Sequence, residues 1–556
     1  MGAHHHNQPI QDNSKFVFDT KLKLFTLALI LVGAASLALT YFTGSDHSHI
    51  RFWTNLLQNS VFFTGIAFAS LFFIATHTVA WGGWQTIFKR IPEAMMMFLP
   101  VGIVLLGLIA LAVSMDANGT DFLYLWSDEE ALKNDHLVIH KSAFLNPINY
   151  VLTLAVIALW TLFALVIRRL SLKQDENRAL RKVNYEKIHM WSAIFLPIAG
   201  FSSAYAIWQW VMSVDPHWYS TLFAWYATVS VWVSAICLMY LIILFLQSRG
   251  HLQYFTKEHT HDLGKYIFGF SVFWTYLWFS QFMLIWYANN GEETQYFFLR
   301  FEQFRPVFFL NLIINFAIPF LSLMMNSAKR AKGTLGFMAG LVLFGHWLDY
   351  YQMIKPGVWY NWEHAQHAKH EHSEDHKHDG DHKKEGDHKH DDEHKKADHK
   401  EHSENTYKLN SENSAKPVLT DFQDTNKEKH DDKNHGTAKN KNTSPEKDSA
   451  HSHDHDSVSH AHDHGTAHTD GHDHGHDEHA KGHDEKAHED HAHEHDHGTP
   501  FVMGIHFPGL YELGTLIGFL GLFLFITFTA LSSASLMPKN DPYIDESKNH
   551  HVWYDL

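Results

Sequence analysis

The sequence predicts an all-α integral membrane protein of about ten transmembrane helices. Three observations lead there: long apolar runs, an uneven distribution of positive charge among their connections, and the concentration of polarity in one segment. The 556 residues carry a formal net charge of -16, and a mean hydropathy of -0.21 looks ordinary for a soluble chain. That average mixes two materials. From about Trp362 to His497 the chain is almost entirely His, Asp, Glu, Lys, Ser, Gly and Asn, as in HDHGHDEHAKGHDEKAHEDHAHEHDHG. So few apolar residues cannot offset chain entropy, which predicts disorder across 362–500. Outside it, each apolar run is long enough to cross a hydrocarbon core that needs roughly 20 helical residues.

The runs lie at 22–43, 55–81, 93–115, 147–169, 190–213, 221–247, 265–288, 306–326, 334–353 and 508–533. The first follows a polar segment, is long for a signal-peptide core and shows no clear cleavage site, so it reads as a retained anchor. With alternating directions, Lys15, Lys21, Lys23, Lys89, Arg90, Arg168, Arg169, Lys173, Arg178, Arg181, Lys182, Lys187, Arg249, Lys257, Lys265, Lys329, Arg330 and Lys332 fall on one side. The opposite short connections hold only Arg51, Lys133, Lys141, Arg300 and Arg305. Positive charge is retained in the cytoplasm, which places both termini there and the His-rich loop outside. The expected organisation is a cytoplasmic segment (1–21), a first helix and loop (22–54), four-helix bundles at 55–220 and 221–361, the loop at 362–500, a tenth helix (501–535) and a cytoplasmic tail (536–556).

The ninth run ends in GHWLDYYQMIKP (345–356), which carries His346 and Asp349. A carboxylate at a bilayer centre costs about 2.5 to 3.5 kcal/mol on insertion scales. In this topology the pair sits in the outer third of its span, one residue above the other on one helix face. A neighbouring imidazole or Tyr350 would satisfy the charge; a hydrated interfacial pair is the plainer alternative. The fifth run also points outward and ends WQWVMSVDPHWYST, with Asp215, His217 and Tyr219 at its mouth and Pro216 ending the helix. MSVDPHWY (212–219) and MIKPGVWY (353–360) share Met and Trp-Tyr at equal spacing, which suggests a duplication of a four-helix unit. The seventh run brings Gln281, Tyr287, Asn289, Asn290, Glu292 and Glu293 toward the same side. Its aromatics also suit an interfacial belt, whereas the deeper Gln281 amide needs a partner.

SVDPHWYSTLFAWY, WTYLWFSQFMLIWYANNGEET with the following Arg300 and Arg305, HWLDYY, and FPGLYELGTLIGFLGLF followed by NDPYIDES together resemble the second quinone-binding membrane subunit of alternative complex III. That bacterial quinol:cytochrome c oxidoreductase draws this subunit from the polysulfide-reductase (NrfD-like) anchor family. The resemblance covers essentially all the membrane-embedded chain; the long His-rich loop departs from it. It implies two four-helix bundles, a related quinone-binding partner subunit, periplasmic iron–sulfur and c-type haem subunits, and a terminal oxidase as a further candidate partner. It also implies that the related subunit is the better established quinol site, leaving proton conduction or support of assembly as roles for this one.

The residues bound the chemistry independently. Cys237 is the only cysteine, so the chain has no C-x-x-C-H haem attachment and no four-cysteine cluster site. His77 and His346 fall at different depths and do not suit one haem. What remains is a set of proton-exchanging side chains, which suits quinol oxidation, where two protons leave with the electrons. Asp349 and His346 are the expected proton-accepting pair, with Asp215, His217, Gln281, Tyr287 and Tyr350 lining a quinone pocket or proton exit. His77, Glu93 and His189 form the candidate inner path, although His77 also suits plain packing and Glu93 a helix N-terminal charge. No metal site is expected in the membrane core; the His-rich loop suits weak, multi-site metal binding. A metal transporter with that loop as its collector, or a purely structural anchor, are the alternative functions.

Overall fold

The computed structural model describes residues 15–43, 47–127, 136–381 and 501–551. The expected N-terminal segment up to residue 14, Lys133, the loop from 382 to 500 with its metal binding, and the last five residues lie outside them. Among the described residues the chain is helical, without strands. The long helices are α1 (Thr20–Phe42), α2 (Ser48–Val79), α3 (Arg90–Ser114), α4 (Pro147–Glu176), α5 (Arg181–Trp210), α6 (Thr221–Ser248), α7 (Lys257–Ala288), α8 (Arg305–Leu323), α9 (Lys332–Asp381) and α10 (Leu510–Ser532).

Among the described residues nine helices are long and apolar enough to cross a membrane, and each coincides with one of the expected runs. The exception is α9. Its apolar stretch shares the helix with His346, Asp349, Tyr350 and Tyr351, which lowers the hydropathy of any membrane-length window. It also continues to Asp381, past the expected boundary at 362. The first part of the expected disordered loop is therefore helical. A rigid helix already nucleated at its N-terminal end extends cheaply through Glu, Lys, Gln and Ala, which propagate helix well.

Packing centres on α2 and α6. They touch each other, and between them they contact α1, α3, α5, α7, α9 and α10. The outward faces of α1, α4, α5 and α7 expose large apolar side chains such as Leu31, Ile148, Phe201 and Phe279, as lipid-facing helices do. Helices α1 and α10 pair antiparallel through small residues: Gly33 lies backbone to backbone on Gly518, and the Ser36 side chain rests on Gly514. Without a hydrophobic drive between helices in lipid, such close approach supplies the attraction. A Cβ at either glycine would overlap the other helix's backbone. Gly518→Val should therefore separate the pair, lowering the thermal stability of the purified protein and abolishing disulfide cross-linking between cysteines placed at 36 and 514.

Ion pairs collect at the two ends of the helices. At one end Lys89 meets Asp541 (2.7 Å), Arg90 meets Asp175 (2.6 Å) and Arg330 meets Glu258 (3.2 Å), with a His550–Asp262 hydrogen bond (2.6 Å) beside them. At the other, Arg51 meets Glu512 (3.1 Å) and Arg300 meets Asp215 (3.2 Å). Such sorting is what alternating helix directions require.

Candidate functional site

The site is built around Asp349, fully buried on α9. Three other helices each send it a donor. Trp274 of α7 donates its indole N–H to Oδ2 at 2.9 Å, Asn311 of α8 donates to Oδ1 at 2.8 Å, and the Tyr226 hydroxyl of α6 donates to Oδ1. Hydrogen bonds to a carboxylate are the strong ones, and they let a charge persist where hydrocarbon would expel it. Local backbone features bring the α8 donors into place. Pro319 lacks an N–H, and just before it α8 widens into a π-helical turn, Ile313–Ala317. Asn315 then donates to Asn311 Oδ1 at 2.5 Å. Gly345 admits α8, since a Cβ there would overlap Asn315.

His346 does not bind Asp349. Its Nδ1 shares a hydrogen bond with the Ser230 hydroxyl at 3.0 Å, and its ring stands edge-on to Trp274, centroids 5.5 Å apart. Nε2 is buried with no hydrogen-bond partner in the described structure. Trp274 thus lies against both members of the pair. The expectation that the imidazole or Tyr350 would satisfy Asp349 is corrected: the Tyr350 hydroxyl donates to the Ala227 carbonyl at 3.1 Å. Three residues along a helix leave two side chains about 60° apart, enough for each to meet a different neighbour.

From Asp349 a buried polar chain runs to Asp215. Asn311 also donates to Gln352 Oε1 (3.2 Å), and the Gln352 carbonyl accepts from Arg300 Nε (3.2 Å). That carbonyl is available because Pro356, four residues on, has no N–H to give it. Arg300 then donates to Asp215 Oδ2 at 3.2 Å. Its guanidinium lies 3.3 Å from the Tyr296 ring centroid, and Tyr296 stacks on Trp218 at 3.8 Å. Asp215 follows α5 at the helix end; burial raises its pKa, and Arg300 and His217 pull it back. Beyond Asp215 opens a cavity of about 330 Å³ with mainly apolar walls, among them Phe144, Trp208, Met212, Trp218 and Tyr219.

The expected outer residues divide. Gln281 is buried, its Nε2 without a hydrogen-bond partner, and lines a small gap with Tyr226, Tyr296, Arg300 and Gln352. Asp215 joins the chain and His217 acts on its charge. Tyr287 does not join: six residues beyond Gln281 it has turned about 240° around α7 and is 84% exposed. Tyr226, Trp274, Asn311 and Gln352 were not expected. Asn311 and Asn315 were readable as an i, i+4 amide pair inside the apolar run RPVFFLNLIINFAIPF. Tyr226 and Trp274 carried no signal among many aromatics.

The expected inner residues are not joined to one another. His77 shares hydrogen bonds with the Phe73 carbonyl (2.8 Å) and the Tyr266 hydroxyl (3.0 Å). Glu93 is fully buried and pairs with Arg90 and Ser171, each at 2.6 Å. It stands in the first turn of α3, the helix-start position read for it, and is there part of an ion cluster with Arg90 and Asp175. His189 stacks on Trp81 at 4.5 Å. These side chains project from different helices into separate contacts, so equal depth did not mean adjacency. Among the described residues no group of three or more His, Cys, Asp or Glu is placed to hold a metal ion. The sequence matches no protein-family model and no curated protein.

Proposed function

We propose that this chain is a membrane subunit of a respiratory quinol:cytochrome c oxidoreductase of the alternative complex III type, with quinol (menaquinol or ubiquinol) as substrate. The observation that carries this reading is the buried polar chain from Asp349 to Asp215, ending at an apolar-walled cavity. Oxidation of quinol to quinone releases two electrons and two protons. This chain offers a route for the protons; the electrons pass to iron–sulfur and c-type haem centres of periplasmic partner subunits, assembled beside a related quinone-binding subunit. The cavity has the size and aromatic walls a quinol ring needs, with the Asp215 carboxylate to accept a hydrogen bond from its hydroxyl. Asp349, held by three donors, is the buried carboxylate placed to accept a proton.

In this reading α9 is a tenth span. Helices α2–α5 and α6–α9 are the two bundles, α1 and α10 flank them, and the Asp215 end faces the periplasm together with the His-rich loop. Both termini are cytoplasmic, in a bacterial inner membrane. The test is a photoreactive quinone added to the intact complex. Label is expected within 208–221 and is competed by unlabelled quinol; label confined to the related subunit would remove the quinol pocket from this chain.

A further inference from the structure

Arg300 stands between Asp349 and Asp215 in the buried polar network. It is 1% exposed, and nothing in its surroundings lets it move freely. Tyr296 O accepts from Nη1 at 2.8 Å, Gln352 O from Nε at 3.2 Å, Met353 O from Nη2 at 3.4 Å, and Asp215 Oδ2 from the same Nη2 at 3.2 Å. Tyr296 covers its face. On the far side of Gln352 begins the network that holds Asp349. A guanidinium stays protonated at any physiological pH and accepts no hydrogen bond, so it cannot relay a proton through itself. Its charge repels a proton approaching from either side, and low-dielectric surroundings lengthen that repulsion. Fixed arginines exclude protons and cations from membrane pores in this way.

We propose that Arg300 is an electrostatic gate between Asp349 and Asp215: in the resting complex it bars proton exchange between them, and Asp215 sets the height of the barrier by partly neutralising it. The proposal rests on the reading of this chain as a proton route. A plain structural clamp would make the Arg300–Asp215 pair symmetric, so that breaking it from either side loosens the same packing. A charge barrier makes it asymmetric. Removing the cation leaves a lone carboxylate that attracts protons, whereas removing the anion leaves a lone cation that repels them.

The test is passive proton flux through the resting complex in sealed vesicles under an imposed pH gradient, without quinol. Arg300→Gln should raise the flux about tenfold or more, and Asp215→Asn should leave it at or below the wild-type value. Arg300→Gln with Asp349→Asn should return it to wild type. Wild-type flux in an assembled Arg300→Gln complex, or increased flux in both single variants, would overturn the gate. Increased flux that survives Asp349→Asn would instead sink the reading that protons pass through Asp349. Should Arg300→Gln fail to assemble, Arg300→Lys, which keeps the charge, decides together with Asp215→Asn: flux at or below wild type in both supports the gate, and increased flux in either overturns it.

Discussion

Asp349→Asn is expected to insert and assemble, yet to turn over quinol at about one hundredth of the wild-type rate or less. The substitution preserves shape, and its amide oxygen still accepts hydrogen bonds where the carboxylate did. On the Oδ2 side the new NH2 group would meet the Trp274 indole N–H, a donor only; on the Oδ1 side it would meet the Tyr226 hydroxyl, which can rotate to accept, and the Asn311 amide, so the substitution loses one hydrogen bond of the pocket and keeps the rest. What is lost is the capacity to take a proton. The defect should appear mainly in kcat and flatten its pH dependence, because an amide does not titrate. His346→Ala should slow the same step. The double variant should be less than additive, since the two side chains border one indole and share one function. Wild-type turnover across pH in an assembled Asp349→Asn complex would leave this cluster a structural one.

Glu512→Ala should cause the largest loss of stability. Glu512 is fully buried near the start of α10 and accepts from Arg51 at 3.1 Å, from Asn55 at 3.1 Å and from the Gly509 N–H at 3.0 Å. Lys355 of α9 lies 3.7 Å away, 1% exposed, and also donates to the Gly504 carbonyl at 2.7 Å. One carboxylate thus compensates two cations from two helices and ties α10 to α2 and α9. Removing it leaves both without a counter-charge, which costs about 3 to 5 kcal/mol. The thermal unfolding midpoint in detergent should fall sharply, and adding Lys355→Met should recover part of the loss. A midpoint unchanged from wild type would mean that water solvates the cations.

The apolar runs made nine helices legible, because hydropathy over a membrane thickness is a local property, although α2, α4, α5 and α7 each run about seven to nine residues past the expected bounds at one end. Helix α9 was legible from its Leu341–Phe344 stretch despite its polar residues, but its continuation to Asp381 was not: composition alone favours disorder there, and only attachment to a formed helix reverses it. At the site, Asp349 announced itself as a charge in an apolar segment. Its partners did not, since they come from three other helices, and no spacing along α9 tells which aromatics on α6 and α7 face it. Tyr287 shows the opposite error, where closeness in sequence to Gln281 hid a turn to the other face. Arg51 looked like an ordinary connection charge and neither Lys355 nor Glu512 was singled out; only their meeting gives the three weight.

The central claim, that Asp349 carries a proton released by quinol, is tested most directly by infrared difference spectroscopy of the intact complex on quinol addition. The account predicts a carboxylic acid C=O band that appears with quinol, shifts in deuterated water and is absent from Asp349→Asn. The same band persisting unchanged in Asp349→Asn, or no carboxylic acid band in the wild type, would contradict it.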